Sequence, residues 1–134
     1  MFNKVVILGL GGVGSLVAAM LRDLGADVLG IDLRDDVALD GIRFSTADLN
    51  DPATLRSVMS EHDAVVSCLP YQRTLAAAEA AHDVGLHYFD PTEDVATTKD
   101  VRRLAETSGY VMIPQNGLAP GFIGILGAAV ARRF

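Results

Sequence analysis

Short apolar runs alternate with amphipathic stretches along the whole chain, and this alternation predicts a parallel sheet with helices on both faces. Six runs read as strands, centred on Val5 to Leu8, Val28 to Ile31, Ile42 to Phe44, Ala64 to Cys68, His87 to Phe89 and Tyr110 to Ile113. The third is short and charged at Arg43, which suits a sheet edge. Helical patterns fill most intervals. Asp51-Pro52 supplies a cap and a first-turn proline ahead of Leu55, Val58, Met59 and His62 at helical spacing. Tyr71 to Val84 is alanine-rich and closes at Gly85, and Thr98 to Ser108 closes at Gly109. The interval from Asp32 to Ile42 has little room for a crossover helix, so a loop or a single helical turn is expected there. Phe122 to Val130 reads as an unusually apolar helix that follows the turn Gly117-Leu118-Ala119-Pro120-Gly121.

The first strand-to-helix junction carries the strongest chemistry. Gly9-Leu10-Gly11-Gly12-Val13-Gly14 follows Val5 to Leu8 and opens the amphipathic stretch Ser15 to Leu24. In this G-x-G-x-x-G pattern the first glycine permits a tight turn. The second lets backbone N–H groups approach a pyrophosphate, and the third lets the helix lie close on the strand. A glycine-rich turn without ligand has the same letters, so context decides. Asp32 ends the second apolar run, eighteen positions after Gly14, close to the roughly 20 expected of a carboxylate on an adenosine ribose. Together these features predict a doubly wound Rossmann sheet, mainly parallel, with strand order 3-2-1-4-5-6.

Ligands in such sheets gather outside the carboxyl ends of the strands. Those ends place Asp32, Leu33 and Arg34, then Asp48 and Leu49, then Cys68, Leu69 and Pro70, along one rim with the glycine turn as candidate cofactor contacts. Asp90, Asn116, Gly117, Pro120 and Gly121 follow as candidates on the substrate side. Asp32 favours NAD, because its charge repels a 2′-phosphate; Arg34 keeps NADP admissible. Asp48 suits either an adenine contact or an Asx turn ahead of Asp51. Asp90-Pro91-Thr92 is likewise ordinary turn chemistry as well as a strand-end position. Cys68 has no histidine in its own motif and reads as a small apolar residue beside the cofactor rather than a nucleophile. No residue of the chain is assigned as catalytic.

Composition narrows the class. The 134 residues suit one domain and are few for a complete oxidoreductase. The 11 basic against 17 acidic residues give a net charge of −6, with no basic footprint for nucleic acid. One cysteine and three histidines without ligand spacing argue against structural metal. No apolar run approaches the ~18 residues of a membrane span and no signal peptide is visible, so a soluble cytoplasmic protein is expected.

Three blocks together resemble the saccharopine dehydrogenase family, including its saccharopine reductase and lysine 6-dehydrogenase branches. They are Gly9 to Gly14, Val65-Val66-Ser67-Cys68-Leu69-Pro70-Tyr71, and Asn116 to Leu126, where a Gly-Leu-Ala-Pro-Gly turn opens the apolar helix. The resemblance implies hydride transfer between a nicotinamide cofactor and the amine-bearing carbon of a lysine-like amino acid. It places Asp32 on the ribose, Asp48 and Leu49 near adenine, Cys68-Leu69-Pro70 along the cofactor, and Gly117 to Gly121 near the nicotinamide end. Acidic Asp32 and the short second link depart from the saccharopine reductases and lean toward an NAD-linked, lysine-dehydrogenase-like member. Residues 1–134 are then expected to be an N-terminal cofactor domain, inactive alone, whose amino-acid substrate is held by a second domain beyond Phe134. A homodimer is left open. The competing reading is an NAD-binding regulatory or interaction module without catalysis. A short-chain reductase would need a Tyr-x-x-x-Lys pair, which is absent.

Overall fold

The computed structural model describes residues 2–37, 39–119 and 121–133. Six strands form one wholly parallel sheet in the order β3-β2-β1-β4-β5-β6. The elements run β1 (Lys4–Leu8), α1 (Gly12–Asp23), β2 (Asp27–Asp32), β3 (Arg43–Thr46), α2 (Pro52–Met59), β4 (Ala64–Ser67), α3 (Tyr71–Val84), β5 (His87–Phe89), α4 (Val95–Thr107), β6 (Met112–Ile113) and α5 (Phe122–Ala131). The expected sheet, with its third strand at an edge, is the one observed. The strand order reverses between β1 and β4, where Leu8 pairs with Ser67 on one side and Ile31 on the other. Their carboxyl ends therefore frame a crevice above β1.

Alternate residues of the central strands feed two cores, as a sheet buried on both faces requires. Val6, Leu8, Ile31, Val65 and Tyr88 meet Leu55, Met59, Ala77 and Val101 of α2, α3 and α4 on one face. Val5, Ile7, Val28 and Ala64 meet Leu10 and Ala18 of the α1 side on the other. The alanines of α3 serve the first core: Ala77, Ala78, Ala80 and Ala81 are fully or nearly fully buried, and small side chains let α3 lie close to its neighbours. Among the described residues, α1 is the helix that contributes to the second core, with Val37, Leu39 and Ile42 of the following link beside it, and no residue of α5 is buried.

Several boundaries differ from the sequence pattern. β6 is two residues long rather than four, because the chain from Tyr110 to Val111 only approaches the edge of β5, where the Tyr88 N–H donates to the Val111 carbonyl. α4 begins at Val95, three residues before Thr98, since the Asp94 carboxylate accepts the Thr97 N–H at 2.7 Å and caps the helix. It also ends without a left-handed glycine: Ser108 is extended, and Gly109 is not among the residues with positive φ. Gly85 does close α3 in the left-handed region at φ 76°. α2 starts as expected, with Asp51 accepting from Ala53 and Thr54 at 3.2 and 3.0 Å. The link from Asp32 to β3 contains no helix among its described residues.

Candidate functional site

The turn after β1 is built for close approach. A side chain at Gly14 would drive its Cβ into the Gly9 carbonyl oxygen, so only glycine lets α1 start this near the strand. Gly9 takes φ 87°, and its N–H donates to the Ile31 carbonyl at 2.8 Å, continuing the ladder into the turn. Gly11 and Gly12 differ from both: a Cβ at either meets nothing within 4 Å. The space beside them is open for another molecule. Gly11 caps α1 with no side-chain bond, and the first turn holds no acidic residue. Its N–H groups are left for an anion, in contrast to α2 and α4, whose aspartate caps satisfy theirs.

Asp32 organises the facing wall. Its Oδ2 accepts the Leu10 N–H at 2.7 Å, and Oδ1 accepts the Arg34 N–H at 3.0 Å. The Arg34 guanidinium donates to Asp32 Oδ1 at 3.2 Å and to the Leu10 carbonyl at 3.0 Å. Partial burial works to raise the Asp32 pKa. The hydrogen bonds from Arg34 and Leu10 outweigh it and hold the carboxyl at about 2. A fixed carboxylate thus stands at the end of β2, with Arg34 folded back onto it rather than free over the cleft.

A cleft of about 460 Å³ runs between these walls. It brings together Gly9, Gly11, Asp32, Leu33, Arg34, Asp48, Leu49, Cys68, Leu69 and Pro70 of the expected set, and adds Ala47, Asn50 and Arg73. Asp48 takes the turn role and also borders the cleft. It accepts from the Asn50 N–H at 2.9 Å and the Asn50 side-chain amide at 2.6 Å. Leu49 turns its side chain into the core.

Leu10, Gly12, Val13 and Gly14 do not line this cleft. The Leu10 side chain lies over Gly30, where a Cβ would strike it, so only its backbone serves the site. Val13 faces an apolar groove of about 920 Å³ on the thinly covered side of the sheet. Cys68 borders both spaces. Burial, and then the nearby Asp90, push its thiol up to about 11, which is the environment of a packing residue and not of a nucleophile.

Asp90, Asn116 and Gly117 of the candidates border the groove. The Asp90 carboxyl itself is buried. Oδ1 accepts the Thr92 N–H at 2.8 Å, and Oδ2 has no partner among the described residues. Burial raises its pKa despite the N–H groups of Thr92 and Gln115 turned toward it. The Asn116 N–H donates to the Asp90 carbonyl at 2.7 Å, so this aspartate braces the 115–117 loop, where Gln115 sits in the left-handed region at φ 62°. Gly121 takes φ 128° and packs against Gly117 through a parallel bridge. Pro120 lies outside the described residues. Among those residues, no three His, Cys, Asp or Glu side chains converge as a metal site, and no helix is long and apolar enough to cross a membrane.

The family described as the saccharopine dehydrogenase NADP binding domain matches residues 5–112. No curated protein matches. Among solved structures, the apo saccharopine dehydrogenase (L-Glu forming) of Saccharomyces cerevisiae superposes with a TM-score of 0.83 at 20% identity. The match covers 98% of this chain and 31% of that one, so the chain spans about a third of the yeast protein's length. The Bordetella bronchiseptica enzyme WbmH, solved with NAD+, gives 0.61 at 18% identity over 85% of this chain and 55% of its own. A UDP-glucose 4-epimerase from Thermotoga maritima gives 0.64 at 14% identity, covering 80% and 52%. At these identities the structural likenesses show the shared fold.

Proposed function

The chain belongs to the saccharopine dehydrogenase NADP-binding family, and on that premise we propose that it is the cofactor half of an enzyme oxidising or reducing the amine-bearing carbon of a lysine-like amino acid. Binding of NAD(P) follows from the family. The observation that carries its placement is the open space at Gly11 and Gly12, set beside an α1 terminus without a side-chain cap and facing the Asp32 carboxylate. The pyrophosphate lies on the α1 N-terminus, the ribose diol on Asp32, and the adenine between Leu33, Asp48 and Pro70. When bound, the cofactor accepts or supplies the hydride. The protein's part is to hold it so that the nicotinamide end extends past Cys68 toward Asp90 and Asn116.

Asp32 favours NAD over NADP in this reading. The carboxylate stays ionised throughout the neutral range, and Arg34 is held in its own contacts with Asp32 and Leu10 rather than standing free for a 2′-phosphate. The amino-acid substrate rests on the Asn116–Leu126 resemblance and on the apolar surface beyond it. Phe122, Ile123, Ile125 and Val130 of α5 are all about half exposed or more. A substrate domain seated on that helix would cover them and complete the groove beside Asp90. The test is an assay of these 134 residues and of a chain extended by a substrate domain, each with NAD and either lysine or saccharopine. The shorter chain is expected to bind cofactor without turnover, and the longer one to reduce NAD. Turnover by the 134 residues alone, or none by the longer chain with any amino-acid substrate, contradicts the proposal.

A further inference from the structure

No local motif marks Arg73, yet it lines the cleft from the first turn of α3. The arginines at 22, 34, 43, 56 and 103 are each bound to an aspartate. Arg102, Arg132 and Arg133 are exposed. Among the described residues, Arg73 is the partly buried arginine whose side chain makes no hydrogen bond or ion pair. Its guanidinium borders the cleft without a fixed protein partner, so it is available to a ligand there.

Topology says what that is. The strand order β2-β1-β4 sets the end of β2, with Asp32 to Arg34, on one side of the glycine turn and the start of α3 on the other. Arg73 thus stands across the cleft from the ribose carboxylate. It stands near Asp48: the carboxyl is held low mainly by Asn50, and the Arg73 charge adds to this. That corner, between Asp48, Asn50 and Pro70, is where the adenine would lie. The pyrophosphate has its own donors at α1, and a 2′-phosphate would project toward Asp32, on the far side.

We propose that Arg73 is a cofactor-positioning residue that closes over the adenine ring, its planar guanidinium stacked on the heterocycle. The inference rests on the nucleotide placement above and deepens it. Planarity matters, because a guanidinium can lie flat on an aromatic face while an ammonium acts as a point charge.

The test titrates the wild-type chain, Arg73→Gln and Arg73→Lys with NADH and NADPH by fluorescence, and with adenosine by NMR. Arg73→Gln is expected to weaken NADH, NADPH and adenosine by the same factor, roughly tenfold, with an unchanged melting temperature. Arg73→Lys should recover little of the loss. Equal affinity for wild type and Arg73→Gln overturns the inference. A loss confined to NADPH, or a loss that spares adenosine, or full rescue by lysine overturns it as well, since each marks a phosphate contact. A wild-type chain that binds no dinucleotide instead defeats the nucleotide site as a whole, which separates the two failures.

Discussion

Gly14→Ala should destabilise the fold severely, whereas Gly11→Ala should leave it intact and strongly weaken dinucleotide binding. The two glycines sit three residues apart and do opposite work. At Gly14 the added Cβ has nowhere to go, because the Gly9 carbonyl is backbone and is held by the turn that Gly9 itself makes. Relief requires moving α1 off β1, which opens the second core around Ala18, Ile7 and Leu10. A loss of about 3 kcal/mol is expected, seen as a melting point lowered by roughly 10 °C. Gly11 has φ −69° and ψ −169°, an extended conformation that alanine adopts freely, and its Cβ would meet nothing. Stability should change by no more than about 0.5 kcal/mol. If the open space holds the pyrophosphate, the methyl group takes the ligand's place, and NADH affinity should drop by about a hundredfold, on the order of 2.7 kcal/mol. Thermal melts and NADH titrations of both variants check this.

Asp32→Ala has the second largest expected effect, and it acts on fold and ligand together. The substitution leaves the Leu10 N–H without its acceptor and releases Arg34. At neutral pH it should cost about 1–2 kcal/mol, allowing for solvent at the cleft mouth. NADH binding should weaken by about tenfold or more and NADPH by less, because the repulsion of a 2′-phosphate goes and Arg34 is freed for it. The pH dependence has a definite sign. A carboxyl at about 2 in the folded chain and near 3.9 when unfolded stabilises the fold fully above the unfolded value. That contribution is lost as pH falls from about 4 toward 2. Urea melts at successive pH values should therefore show the gap between wild type and Asp32→Ala closing over that window.

The features readable from residue order are those carried by the backbone path. Strand, glycine turn, helix and a carboxylate at the next strand end are local in sequence, and the alternation of apolar runs sets the sheet. Asp51 and Gly85 likewise announce a helix start and a helix stop. What spacing leaves open is the direction each side chain takes. Leu10 lies inside the glycine motif, but its side chain turns under the turn because Gly30, on the neighbouring strand, vacates that volume. Val13 sits on the outer side of α1 by helical phase. Arg73 and Asn50 join the cleft through the order β3-β2-β1-β4, which brings together loops more than twenty residues apart; no local motif marks them. Asp94 announces a cap, but the apolar spacing is weak before Thr98 and hides the first turn of α4.

The central claim is that the crevice above β1 holds a dinucleotide with its pyrophosphate at Gly11 and Gly12 and its adenosine ribose on Asp32. A crystal structure of the chain with NAD tests it most directly. The account predicts the pyrophosphate within hydrogen-bond distance of the α1 N-terminal N–H groups and both ribose hydroxyls on the Asp32 carboxylate. A cofactor lying elsewhere, or one whose ribose points away from Asp32, would contradict it.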